Sequence, residues 1–163
     1  LQAAFYKVRM TGTSFVWVLG DFLLKGASVY TKTLSGRADL PRKTWENVLG
    51  LERNLGSGTL LLQGTYVDRG DAVDNNSVSL SRMFDRSALL GYRCTPSEKW
   101  TLLASVLHDI RFEGTLVHGD VSYKIRDAWQ LGLQGDVIGG KMETPLGTYR
   151  RNDRVTLALS TQW

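Results

Sequence analysis

Serine, histidine and a carboxylate within hydrogen-bond reach would support nucleophilic chemistry, and this chain holds only two histidines with which to build it. His108 shares an extended stretch with Ser105, but their positions have opposite parity, so on a strand they point to opposite faces. His118 and Ser122 share a face and stand about 13 Å apart at ~3.3 Å per residue, beyond hydrogen-bond reach. His118 and Asp120 are same-face neighbours, for which a structural ion pair is the simplest role. The sequence carries neither a His/Cys set at metal-ligand spacing nor a glycine loop of phosphate-binding type. These residues predict no catalytic site, no metal and no cofactor, hence not an enzyme.

Arginine suggests a different chemistry. Arg82, Arg86 and Arg93 lie along one stretch, the first two opposite in parity to the third, while Arg150, Arg151 and Arg154 lead into the last one. Rings of Arg or Lys favour anions in pores. The same side chains also suit lipid phosphates, or rim ion pairs with Asp85, Asp109 and Asp153.

The elements that must position these groups show a period of two. At the end of the chain, Val155, Leu157, Leu159, Thr161 and Trp163 alternate with Arg154, Thr156, Ala158, Ser160 and Gln162. Similar alternation predicts strands over residues 5–19, 22–33, 44–54, 59–68, 77–94 (bulged near Asp85-Arg86), 99–109, 115–125 and 128–138, closed by a strand over about 149–163. Their polar parity carries Glu46, Glu52, Gln63, His118, Asp120, Lys124, Gln130, Gln134 and Asp136.

Composition narrows the class. At 163 residues the chain suits one domain spanning 1–163, and no run reaches the ~20 apolar residues of a membrane helix. The net charge of +4 is spread among 16 acidic residues, unlike the concentrated patch of a nucleic-acid binder, so no nucleic-acid partner is expected. The lone Cys94 has no intrachain disulfide partner.

Tight turns near residues 20, 57, 96 and 126 alternate with longer loops near 38, 73, 112 and 143. Outer-membrane barrels show this asymmetry between periplasmic turns and extracellular loops. Aromatics sort accordingly. Trp17, Phe22, Tyr92, Trp100, Trp129 and the final Trp163 fall near the tight turns, and Tyr30, Trp45, Tyr66 and Tyr149 near the long loops. Two aromatic girdles, one at each interface of a membrane, account for that. A charge at the middle of the lipid face costs roughly 2–4 kcal/mol, so the charged parity must face a lumen. The expected fold is all-β, an antiparallel up-and-down transmembrane β-barrel.

The strand ending on Trp163 resembles the closing strand of bacterial outer-membrane β-barrels, where a terminal aromatic strand is also the signal read by the barrel-assembly machinery. Gly12-Thr-Ser-Phe, Gly20-Asp-Phe-Leu-Leu-Lys-Gly-Ala-Ser-Val-Tyr30 and Gly147-Thr-Tyr-Arg-Arg-Asn-Asp-Arg-Val-Thr-Leu157 resemble segments of a poorly characterised porin-like family, similar in architecture to the alginate-export porins. Ala27 departs from that family, which tends to place an acidic residue near this position. The resemblance implies a wide barrel and transport, with outer-membrane lipid and lipopolysaccharide as surroundings and the C-terminus in the periplasm.

Nine strands would leave the N-terminus outside the cell, whereas single-chain bacterial barrels have even strand numbers. Together with an opening, Leu1-Gln-Ala-Ala, that looks like a cut, this predicts the C-terminal part of a larger even-stranded barrel. The expected function is an outer-membrane channel for small polar solutes or an exported substrate. The alternatives are a structural barrel housing a partner protein (an export or electron-transfer component) in its lumen, and a small outer-membrane lipid-modifying enzyme.

Overall fold

A computed structural model of the chain describes residues 7–34, 42–69, 84–126 and 128–161. Arg82, Trp163 and the portion of the expected 77–94 strand before Phe84 lie outside them. The described residues form nine antiparallel strands in one sheet, ordered as in the sequence: β1 (Val8–Leu19), β2 (Phe22–Thr33), β3 (Lys43–Leu55), β4 (Gly58–Asp68), β5 (Arg86–Ser97), β6 (Trp100–Asp109), β7 (Gly114–Arg126), β8 (Trp129–Gly139) and β9 (Arg154–Thr161). No α-helix occurs among them, and none of their helices is long and apolar enough to cross a membrane. β1 and β9 are the two edges of the sheet.

Period-two patterning fixes which residues share a face, and the turns fix how faces align between strands. Gly20 and Gly56 open the β1–β2 and β3–β4 turns with φ of 59° and 60°, a conformation that suits hairpins twisting with their strands. In direct register, Trp17, Leu24, Leu51, Leu62, Leu90, Val106, Val117 and Val137 then form a single lateral row across eight strands. Leu133 and Leu131 extend this face to Leu157 and Leu159 on β9. Phe15 lies over Gly26, its register partner, so closely that a side-chain carbon there would collide with the ring.

The tight turn expected near residue 96, over Thr95-Pro-Ser97, is corrected. β5 runs on through Ser97, and the chain turns at Glu98-Lys99. Pro96 has no N–H to give the ladder, and the pairing accordingly shifts between Cys94 and Ser97 in a bulge. The closing strand is also shorter than expected at its start. Gly147–Tyr149 is a 3-10 turn, with Tyr149 outside any strand, and pairing with β8 begins at Arg154.

The sheet has almost no interior. Among the described residues the buried hydrophobic side chains are Cys94 and Leu146. Val155 is 78% exposed, Leu157 70% and Leu159 59%, and Trp17, Leu62, Leu90, Val106, Val117 and Val137 of the row described above are exposed, with Leu24 and Leu51 half-buried between them. Burying one such side chain completely is worth about 1.5–3 kcal/mol. A single-layer sheet leaves that stabilisation unclaimed on one entire face.

Candidate functional site: the polar face of the sheet

Register decides which polar groups meet. All nine residues expected on the polar parity (Glu46, Glu52, Gln63, His118, Asp120, Lys124, Gln130, Gln134 and Asp136) fall on the face opposite the apolar row. Trp17, Phe22, Tyr92, Trp100 and Trp129 fall on the apolar face. The Trp100 ring lies 4.7 Å from that of Tyr123, its partner across β6 and β7, tilted by 44°.

Two clusters stand out on the polar face. Near the tight-turn edge, Lys25 Nζ donates to Glu52 Oε1 at 2.7 Å, beside a hollow of about 240 Å³ that Ser14, Gly50 and Gln63 also line. Toward the long-loop edge, Ser105, His118, Asp136 and Arg154 are direct register partners on four successive strands. His118 Nδ1 meets Asp136 Oδ1 at 2.6 Å, and Arg154 Nη2 donates to Asp136 Oδ2 at 2.7 Å. One carboxylate thus holds an imidazole on one side and a guanidinium on the other.

The expectation paired His118 with Asp120. The structure joins it to Asp136 instead, because directly opposed residues on neighbouring strands stand closer than residues two apart along one strand. The same rule places Ser105 beside His118, which comparison of serines and histidines within single strands could not find. No hydrogen bond joins Ser105 to His118 among the described residues. His108 instead contacts Thr115 through Nδ1 at 3.0 Å, on the opposite face. The described residues hold no group of three or more potential metal-binding side chains.

The arginines are dispersed. Arg86 lies on the apolar face with its guanidinium 5.2 Å from the Tyr66 ring centre, Arg93 lies on the polar face opposite Leu103, and Arg150 and Arg151 are in the loop before β9. Among the described residues, Arg86, Arg93, Arg150, Arg151 and Arg154 make no rim pair with Asp85, Asp109 or Asp153, whose described contacts lie elsewhere. Asp85 takes a two-pronged contact from Arg69, which holds the guanidinium pKa above its ordinary value. Fully buried Asp109 accepts the backbone N–H groups of Phe84, Arg111 and Phe112. It thereby ties down the β6–β7 turn and also Phe84, whose φ of 66° is strained for a bulky residue. Asp153 accepts the N–H of Ile138, closing the base of the β8–β9 loop.

That loop folds back over the sheet. Leu146 packs against Gly114 so closely that a side-chain carbon on Gly114 would come within 2.9 Å of it. Lys141 donates to Glu113, tethering the loop to the neighbouring turn. Their hydrogen bond and charge attraction lower the Glu113 pKa and raise that of Lys141.

No family model, curated protein or solved structure matches this chain.

Proposed function

We propose that this sheet is a portion of a closed transmembrane β-barrel in a bacterial outer membrane, and that the barrel is a channel for small polar solutes or an exported substrate. One observation carries the reading: a continuous apolar face, spanning β1 to β9, has no layer of the described residues over it, while the opposite face carries charges of both signs. Lipid covers such a face at no cost in backbone hydrogen bonding, because every interior strand of the sheet is already paired. Nine strands alternating in direction leave β1 and β9 parallel, so all-antiparallel closure calls for an odd number of further strands. Aromatics bordering the apolar band and tight turns confined to one edge support the same orientation, with those turns in the periplasm.

A second reading has its own support. On β1 the polar parity is apolar too: Val16 and Val18 are 66% and 68% exposed, and Met10 lies on the same side. A wall of this kind suits contact with protein better than with water, as in a barrel that houses a partner in its lumen.

Planar-bilayer recording of the full protein tests the proposal. A steady ohmic current supports the open channel. Current that appears only after a co-purified protein is stripped away supports the sheath, and bilayer insertion with no current under either condition rejects the channel.

A further inference from the structure

Near the long-loop edge, the apolar face carries a row of charge that neither the polar face nor the arginine-rich segments account for. Arg9 on β1 is the direct register partner of Lys32 on β2, which is in turn the partner of Lys43 on β3. All three share the parity of Trp17, Leu24 and Leu51, so they stand on the apolar face and not in the lumen. All three are exposed, and among the described residues none of their side chains forms a hydrogen bond or an ion pair. Like charges placed directly opposite one another on a sheet repel. Among the described strand residues of β1 to β4, the one acid on that face, Asp68, is opposite Trp45, displaced along the strands from the row.

The residues beneath the row set its depth. Tyr30 and Trp45 are register partners in edge-to-face contact, with ring centres 6.5 Å apart, and the Trp45 indole N–H donates to Ser28 Oγ at 2.6 Å. An aromatic pair with one wet and one apolar side belongs at a membrane interface. From Trp45 to Leu55 on β3 is about 33 Å along the strand, or about 25 Å across the membrane at a tilt of ~40°, the height of a barrel's apolar band. The three cations therefore lie just outside the hydrocarbon, at the level of lipid headgroups.

We propose that Arg9, Lys32 and Lys43 form a binding site for the phosphate groups of membrane lipids in the leaflet at the long-loop edge, with Tyr30 and Trp45 as its floor. The proposal rests on the transmembrane reading above. A phosphomonoester headgroup fits best, since its double negative charge can bridge neighbouring cations that otherwise repel, and its acyl chains continue down the apolar face. A soluble phosphate would lack that second contact.

The test is native mass spectrometry of lipid retained by the full protein from nanodiscs of phosphatidylcholine with a minor fraction of phosphatidic acid. The expected result is selective retention of phosphatidic acid. Retention falls about fivefold in Lys32→Gln and roughly a hundredfold in the Arg9→Gln/Lys32→Gln/Lys43→Gln variant, following the usual gain per basic residue at an anionic surface. An Arg150→Gln/Arg151→Gln variant, which removes loop cations outside the row, retains the lipid as the parent does, and inorganic phosphate does not displace it. Equal retention by parent and triple variant, both inserted, overturns the site and leaves the transmembrane reading standing. Displacement by inorganic phosphate also overturns it, assigning the row to a soluble anion. Failure of the parent to enter nanodiscs overturns both.

Discussion

Leu90 is the sharpest place to perturb the apolar face. It lies about 14 Å along β5 from Arg86, at ~3.4 Å per residue, and a strand tilt of ~40° converts this to about 10 Å of depth, near the middle of a ~25 Å apolar band. An arginine there costs about 2–4 kcal/mol, a loss of roughly 30- to 1,000-fold in the folding equilibrium. Ala88→Arg, half as deep, costs less, and β5 already tolerates its native Arg86 at the edge. Ser105→Arg, on the opposite face at a comparable height, costs under about 1 kcal/mol. Urea titration of folding in phosphatidylcholine vesicles measures all three. A cost that rises with depth on one face only supports a lipid contact. Equal losses for Leu90→Arg and Ala88→Arg, or a loss at Ser105→Arg matching that at Leu90→Arg, would refute the reasoning, because a protein-packed face has no membrane depth to report.

Four further outcomes are expected. Asp109→Ala, which leaves three backbone N–H groups without their carboxylate, destabilises by about 2–4 kcal/mol, whereas Asp109→Asn keeps one acceptor oxygen and costs roughly half of that; chemical denaturation compares them. Arg69→Ala costs about 1–3 kcal/mol by removing the main partner of buried Asp85, read in the same assay. Asp136→Asn removes the negative member of the His118–Asp136–Arg154 cluster, so single-channel reversal potentials shift toward anion selectivity, by roughly twofold in permeability ratio. The Lys141–Glu113 tether depends on both charges. Its contribution is lost as pH falls through the lowered Glu113 pKa, below its ordinary 4.5, and as pH rises through the raised Lys141 pKa, above its ordinary 10.5. A spin label at Thr148 should therefore be least mobile between those limits.

What could be read from the sequence was whatever depends on one strand at a time. Parity alone assigned Glu46, His118 and Asp136 to one face and Trp17, Trp100 and Trp129 to the other, since side chains alternate regardless of what lies alongside. The glycines at 20 and 56 marked turns because few other residues accept a positive φ. Relations between strands were not legible. Whether His118 meets Asp120 or Asp136 depends on register across the β7–β8 turn, and a slip of one pair across the β6–β7 turn would have put Ser105 elsewhere. The Cys94–Ser97 bulge could not be placed either, because Thr95-Pro-Ser97 equally suits a turn. Nor does a run such as Glu143-Thr-Pro-Leu-Gly147 announce that Leu146 will turn back onto Gly114. The row of Arg9, Lys32 and Lys43 is invisible along the chain for the same reason: three distant cations become neighbours only through two successive registers.

The central claim is that lipid covers one face of this sheet and an aqueous lumen the other. Spin labels placed singly along β8 from Trp129 to Gly139, in the reconstituted full protein, test it most directly. Collision with oxygen, which concentrates in the bilayer, should peak at positions 129, 131, 133, 135 and 137, and collision with a water-soluble nickel chelate at 130, 132, 134, 136 and 138. Oxygen and nickel profiles that run in phase, or two faces equally shielded from both reagents, would contradict the account.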